Sequence, residues 1–156
     1  MTDFHIAQVN IGRTLAPVDD PLMADFTNNL DRINALAEGA PGFVWRLKGE
    51  NNNATALRAF EDDSLLINMS MWESIEALHA YVYKTDHASF IKRRREWFSM
   101  MTEHHQVLWW VPAGETPAIS EAPARLAHLE EHGPTPYAFT FAKRFTAEEA
   151  LAYAPE

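Results

Sequence analysis

The chain has 156 residues, a formal net charge of −9 and no cysteine, and 47% of its residues are hydrophobic. This size predicts a single domain over residues 1–156 with a buried core. The lack of thiols excludes disulfides and thiolate metal sites, and the acidic balance argues against general nucleic-acid binding. No apolar run approaches the roughly 20 residues that cross a bilayer, and the N-terminus does not resemble a signal peptide. We therefore expect a cytoplasmic protein.

The first half of the sequence predicts three strands and one helix. Residues 4–12 (FHIAQVNIG) are rich in β-branched residues and nearly alternate in polarity, as a strand does. Asp20 is placed to cap a helix that has Pro21 in its first turn and stops at Gly39. An apolar stripe recurs at helical spacing along this helix: Leu22, Phe26, Leu30, Ile33, Leu36 and Ala37. Two strands follow, separated by a polar connection that suits a short irregular strand or a lid: FVWRLKG (43–49) and SLLINMSMW (64–72).

The second half predicts two more strands and further helices. Ser74 is a plausible N-cap for one or two helices over about 75–101, with a break near Thr85 and Asp86. The remaining elements are a strand at 105–114, a helix at 120–133, a strand at 136–145 and a last helical turn or frayed tail. The order β-α-β-β-α-β, followed by an extra helix and strand, predicts a ferredoxin-like α+β fold with two helices on one face of an antiparallel sheet. The other face then needs a cover, and a second copy of the sheet is a common one.

A basic run, Lys92–Arg95, is placed on a helix whose faces differ in character. One stripe at helical spacing collects His87, Phe90, Ile91, Arg94, Trp97, Phe98 and Met101. Lys92, Arg93 and Arg95 fall off this stripe and are expected to face solvent. Arg94 falls on it, where either its stem packs and its head reaches the edge, or it binds a ligand. His87 is likewise open between an ordinary half-buried residue and a functional one.

Alternation along the predicted strands separates a uniformly apolar face from a mixed polar and aromatic face. The mixed face carries Gln8 and Asn10 on the first strand, Arg46 on the second, and Asn68, Ser70 and Trp72 on the third. The apolar face is the one expected to receive the helices. Because a polar group buried without a partner costs roughly 1–3 kcal/mol, the mixed face is expected to line a wet cavity or a partner surface.

Several segments resemble the domain-of-unknown-function family 3291, in order along most of residues 4–142. They are AQVNIGR, PGFVWRL, NMSMWESIEAL with the following YVY, His and RRREWF, then VLWWVPAG and GPTPYAFTF. That family resembles the dimeric α+β barrel superfamily, which contains the antibiotic-biosynthesis monooxygenases. The resemblance implies a homodimer with sheets face to face and a small-molecule cavity in each subunit.

The same resemblance suggests roles for individual residues. Haem-degrading members of the superfamily use an Asn on the first strand, a Trp ending the third strand and a His on the next helix, which would correspond to Asn10, Trp72 and His87. His79 is a second candidate for the histidine because it lies closer to Trp72 in the sequence. The superfamily also contains oxygenases without a cofactor and members without a known reaction, so the fold alone does not choose a chemistry.

Other histidine and aromatic patterns have simpler interpretations. His128 and His132 have the i, i+4 spacing that can chelate a metal, but they end a helix and are read as surface residues, and no HExxH motif occurs. Trp109 and Trp110 are expected to pack on opposite faces of one strand. No metal site is predicted.

Three hypotheses remain open for the function. The first is a cofactor-free, monooxygenase-like enzyme acting on an aromatic or polyketide-like metabolite, with His87, Trp72 and Asn10 as catalytic residues. In this hypothesis the substrate-binding residues are Arg94, Arg46, Asn68, Ser70, Gln8 and His79. The second is haem binding or degradation in the same cavity. The third is a non-catalytic module that binds a small ligand.

Overall fold

The computed structural model describes residues 3–16, 20–47, 65–85, 87–99 and 105–153. Within these ranges the strands are β1 (Phe4–Arg13), β2 (Phe43–Arg46), β3 (Leu65–Trp72) and β4 (Gln106–Pro112). The predicted lid or irregular strand between β2 and β3 lies outside the described residues, as do Asp86 and Met101 of the predicted long helix.

The described strands form one antiparallel sheet in the order β2-β3-β1-β4. Non-neighbouring strands in sequence are neighbours in space, as in a ferredoxin-like unit, and the predicted α+β fold is confirmed. The register sets Gln8 of β1 opposite Ser70 of β3, and Asn10 opposite Asn68. Because side chains alternate along a strand, the polar residues of both strands share one face, as predicted.

The helices connect the strands and follow the chain as α1 (Ala24–Asn28), α2 (Leu30–Glu38), α3 (Ile75–Lys84), α4 (His87–Arg93), α5 (Glu121–His132) and α6 (Ala147–Ala152). Asp20 accepts a hydrogen bond from the Leu22 amide at 2.9 Å and starts a 3-10 turn before α1, and Ser74 caps α3 by accepting from the Ala77 amide at 3.0 Å. The predicted helix start and the break between α3 and α4 are confirmed. No helix in the described ranges is long and apolar enough to cross a membrane.

Helices α2 and α3 cover the mixed face of the sheet, which corrects the prediction that they would cover the apolar face. Ile6, Trp72 and Leu108 on this face pack with Ala37 of α2 and with Ile75, Leu78, Tyr81 and Val82 of α3. The sequence shows two different faces, but it does not show which one meets which helix. The polar groups of the mixed face are therefore enclosed between the sheet and its helices.

The apolar face is covered by α5 from the same chain. Ala7, Val9, Met69, Met71 and Trp109 on this face are at most 1% exposed, and they pack with Ala122, Leu126 and Leu129 of α5. The guanidinium of Arg125 lies 5.2 Å from the Trp109 ring centre and 3.8 Å from that of Tyr137. Trp110 packs in the opposite cluster, so the prediction of one tryptophan on each face is confirmed.

The predicted fifth strand is wrong as a regular element. Among the described residues, the backbone after α5 pairs with β4 at one isolated bridge, in which Phe139 exchanges two backbone hydrogen bonds with Leu108, of 2.8 and 2.9 Å. Pro134 and Pro136 have no amide hydrogen to extend the ladder, and a turn returns the chain, with the Thr140 amide bonded to the Lys143 carbonyl at 3.3 Å. The tail then forms α6 behind a capping box of Thr146 and Glu149.

Two predictions about solvent exposure need correction. Arg93 is not simply solvated, because it pairs with Asp25 of α1 and with Glu96, both at 2.8 Å, and stacks at 4.7 Å on the Trp97 ring. Lys92 and Arg95 are exposed, as predicted. Leu22, expected in the apolar stripe of the first helix, is 51% exposed, and Met23 is buried in its place. The 3-10 geometry of this first turn turns its side chains away from the positions that an α-helix would give.

Candidate functional site

A cavity of about 300 Å³ lies between the mixed face of the sheet and the helical layer. Its floor comes from β1, β2, β3 and β4, one wall from α1 and α2, and the other from the α3–α4 region and the turn after α4. Asn68 and Arg94, both lining residues, are exposed, so the cavity is open to solvent on their side. A volume near 300 Å³ is at the small end of the range for small-molecule sites.

A hydrogen-bonded network of side chains lies in the floor of the cavity. The Gln8 amide nitrogen donates to Asn68 Oδ1 at 2.8 Å and to Ser70 Oγ at 2.9 Å, while its oxygen accepts from Asn10 Nδ2 at 3.2 Å. The indole nitrogen of Trp72 also donates to Ser70 Oγ, at 2.9 Å. Gln8 and Ser70 are buried, whereas Asn10 and Asn68 reach the cavity. The network therefore connects the buried core to two amides at the cavity surface.

An aromatic column stands beside this network. Trp72 stacks on Tyr81 at 4.9 Å between ring centres, and Tyr81 in turn contacts the His87 ring at 4.9 Å. Burial raises the pKa of the Tyr81 hydroxyl well above its usual value, although the nearby charge of Arg46 lowers it. The hydroxyl donates to the Ile33 carbonyl of α2 at 3.2 Å. Tyr81 is thus a neutral structural link between the column and the helical wall.

His87 begins α4 and lines the cavity. Burial lowers the pKa of its imidazole, and the hydrogen bond with the Val82 carbonyl opposes this only in part. Nδ1 lies 3.3 Å from that carbonyl oxygen, which can only accept, so Nδ1 carries the hydrogen. In the neutral ring the lone pair is then on Nε2. This is the protonation state that a general base needs near pH 7.

Two arginines, Arg46 and Arg94, are among the described residues that line the cavity. Arg46 of β2 is 6% exposed and its Nη2 lies 3.6 Å from Glu38 Oε1 at the end of α2, while Arg94 approaches from the 3-10 turn after α4. Among the described residues that line the cavity there is no Asp or Glu. Because the described lining carries two guanidinium groups and no carboxylate, it favours a negatively polarised group.

Aromatic rings form the far wall. Phe26 of α1 contacts Trp97 at 5.5 Å and Phe98 at 5.1 Å between ring centres, the latter edge to face. The Phe98 ring lies against Gly12 so closely that a Cβ on Gly12 would come within 2.6 Å of it. The Arg93 ion pair with Asp25 ties the two sides of this wall together. The cavity therefore combines an aromatic wall with a floor that carries polar side chains.

The structure places the residues of the sequence prediction in three groups. Five line the cavity together: Asn10, Arg46, Asn68, His87 and Arg94. Gln8, Ser70 and Trp72 lie directly behind it in the network, and Trp72 is fully buried. His79 is outside, packed against Tyr83 at 4.7 Å and Phe141 at 5.5 Å.

Sequence reasoning missed part of the helical wall. The lining also includes Phe26, Asn29, Ile33, Asn34 and Gln106, which were assigned to an ordinary core stripe or given no role. Asn29 and Asn34 could have indicated a polar cavity on this side, because their two amides adjoin the apolar stripe that faces the sheet. Their position becomes meaningful only when α2 is known to cover the mixed face.

Haem is a poor fit to this cavity. His87 has the features of a metal ligand, a bonded Nδ1 and a lone pair on Nε2, and its lowered pKa favours the neutral ring. A volume of about 300 Å³, however, is too small to enclose a whole porphyrin with its propionates. In the described ranges no group of three or more His, Asp or Glu side chains is arranged to hold a metal ion.

The strand order and the cavity define the class of protein, a ferredoxin-like α+β domain with a pocket between sheet and helices. The sequence profile of the domain-of-unknown-function family DUF3291 matches residues 5–154. The chain therefore belongs to this family. No curated protein matches the chain.

Several solved structures are similar to the chain. SnoaB, a cofactor-independent oxygenase from Streptomyces nogalater, is 17% identical with a TM-score of 0.47, covering 72% of this chain and 95% of that chain. A proposed antibiotic biosynthesis monooxygenase from Chloroflexus aurantiacus J-10-fl is 16% identical with a TM-score of 0.44, covering 74% and 98%. A protein of unknown function from Nitrosomonas europaea is 15% identical with a TM-score of 0.42, covering 76% and 97%. At these scores the likeness says nothing about the activity of this chain.

Proposed function

We propose that the protein binds a small aromatic or polyketide-like metabolite in the cavity and acts on it as a cofactor-free, monooxygenase-like enzyme. The observation that carries the proposal is the composition of the pocket, in which a neutral imidazole, two guanidinium groups and several amides line a cavity with an aromatic wall. Such a pocket can orient an electron-rich ring and stabilise negative charge that develops on it.

The roles follow from the geometry. His87 Nε2 accepts a proton from an acidic C–H or phenolic O–H of the substrate. Arg46, Arg94 and the floor amides donate to the resulting oxyanion. Phe26, Trp97 and Phe98 hold the ring and exclude water. Trp72 supports the floor from behind, and His79 has no part because it lies outside the cavity.

Dioxygen is the oxidant of the proposed reaction. A ring methylene between carbonyl or aryl groups is oxidised to a ketone, one oxygen atom enters the product and the other leaves as water together with the two hydrogens of the methylene. Each O₂ thus takes up four electrons, all of them from the substrate carbon, so no separate reductant is needed. The electron-rich anion formed by His87 is the species that reacts.

The test is oxygen uptake by purified protein with a panel of anthrones and other ring-methylene ketones, run beside phenols and quinols that lack the methylene. We expect turnover that His87→Ala lowers by a factor on the order of 10² to 10⁴, the usual contribution of a general base. His79→Ala is the matched control, since it removes an imidazole outside the cavity, and it should leave the rate unchanged. Absence of oxygen uptake across the panel would sink the enzymatic proposal.

The other hypotheses are distinguished by the same samples. A non-catalytic module would show stabilisation by the ligand without oxygen uptake, and saturation at 100 times the dissociation constant stabilises a fold by roughly 2.7 kcal/mol. A Soret band that appears on adding hemin and is lost in His87→Ala would support haem binding instead.

A homodimer and a cytoplasmic location also belong to the proposal. Because α5 already buries the apolar sheet face, the dimer would use another surface, and native mass spectrometry tests it.

A further inference from the structure

We infer that the floor network makes the cavity selective for ligands that present hydrogen-bond acceptors, such as a carboxylate, phenolate, enolate or ketone, and that buried Gln8 is the positioning residue for this selectivity. The inference rests on the proposed function, because it concerns the ligand of the same cavity. It adds the direction of the hydrogen bonds that the ligand meets there.

The structure gives each hydrogen bond of the network a direction. The indole nitrogen of Trp72 can only donate, so Ser70 Oγ accepts from it, and Ser70 Oγ accepts a second hydrogen bond from Gln8. Gln8 uses its other amide hydrogen on Asn68 Oδ1 at 2.8 Å. Both hydrogens of the Gln8 nitrogen are thereby used, and its oxygen accepts from Asn10.

The consequence lies at the cavity surface. The oxygen of Asn68 is turned toward the Gln8 nitrogen, so the Asn68 amide nitrogen, a donor of two hydrogens, is the part left for the cavity. Asn68 is exposed to the opening and pairs across the sheet with Asn10, another lining residue. The guanidinium groups of Arg46 and Arg94 can only donate as well. An amide free to rotate would accept or donate equally well, but here Gln8, 3% exposed, holds it in one sense.

Binding of three naphthalene probes by isothermal titration calorimetry tests this inference. The probes are 2-naphthoate, which is anionic, 2-acetonaphthone, a neutral acceptor, and 2-aminonaphthalene, a neutral donor. In the natural protein we expect the affinity to fall in that order, with at least a tenfold gap between the two neutral probes. Their comparison separates hydrogen-bond direction from net charge.

Asn68→Asp is the decisive variant. It keeps an oxygen for Gln8 and replaces the donor at the cavity by an acceptor. The affinity for 2-acetonaphthone should therefore fall and the affinity for 2-aminonaphthalene should rise, so that the order of the two affinities is reversed. Asn28→Asp adds the same charge on α1, at an exposed position outside the cavity, and should change neither. An unreversed order in Asn68→Asp would overturn the inference.

Gln8→Met tests the positioning role without altering charge. It leaves Asn68 free to turn, so the discrimination between the two neutral probes should collapse to within about twofold while the melting curve stays cooperative. A purely structural role would lower all affinities and leave their ratio. Failure of all three probes to bind the natural protein would refute the proposed ligand cavity itself, whereas binding without preference refutes only the donor selectivity.

Discussion

At the scale of the single residue, the neutral imidazole of His87 makes a pH dependence of stability. Burial lowers its pKa in the folded chain, whereas the unfolded chain has the ordinary value near 6.5. The unfolded chain therefore binds more protons below about pH 6.5, and the free energy of unfolding falls as the pH drops through this region. Urea titrations at pH 7.5 and 5.5 should show a smaller drop for His87→Gln than for the natural chain.

His128 provides the comparison for that experiment. Its pKa is also lowered, first by burial and then by the nearby His132, so His128→Gln should flatten the same pH window. The two histidines belong to different layers, one at the cavity and one on α5, so their effects should add. If the free energy of unfolding falls by the same amount between pH 7.5 and 5.5 in the natural chain and in His87→Gln, the burial of a neutral His87 is contradicted.

At the scale of elements, the junction of β2 with α3 depends on one glycine. Gly42 has φ +84°, and a Cβ there would lie 2.5 Å from the Cβ of Ala77 in the first turn of α3. Gly42→Ala should lower the free energy of unfolding by about 1–3 kcal/mol, because it adds backbone strain and a clash. Urea titrations would measure this loss as a lower midpoint, with the dependence of the free energy of unfolding on urea concentration unchanged.

Gly39 is the matched control for that substitution. It follows α2 with φ −92°, and the nearest atom to an added Cβ is the Ala35 oxygen at 3.6 Å. Gly39→Ala should therefore be neutral or stabilise by up to about 1 kcal/mol, since alanine restricts the unfolded chain. The sequence predicts the helix stop at Gly39 correctly, but the left-handed residue is Gly42, three positions later. If both alanines cost the same, the argument from backbone geometry is wrong.

At the scale of the whole molecule, α5 closes the apolar side of the sheet. Leu129 is fully buried there with Leu126 and Trp109, whereas Ala127 on the same helix is exposed. Leu129→Asp should release α5, and the uncovered apolar strands should bind a hydrophobic dye and raise the mass seen by light scattering. Ala127→Asp, the same charge on the outer side of the helix, should change neither. An unchanged mass and melting curve for Leu129→Asp would contradict this packing.

The sequence predicts the four strands of the sheet, although not the end of the chain, because alternation fixes which side chains share a face. Gln8, Asn10, Asn68 and Ser70 were assigned to one face for this reason, and the register confirms it. The covering layer could not be predicted, because both faces offer enough apolar surface for a helix. Trp72 shows the same limit, since it shares the polar face but is fully buried and does not line the cavity.

Because the cavity lies between the sheet and its helices, a bound ligand should change the rate at which the protein is degraded in a cell. A ligand bound between the β1–β3 floor and the α1–α2 wall would contact both the sheet and the helices, and would add to the contacts that hold these two layers together. Empty chains open more often and reach proteases sooner, because breakdown follows the population of opened states. Cells that make the ligand should therefore accumulate the protein, and cells that lack the ligand should degrade the protein faster.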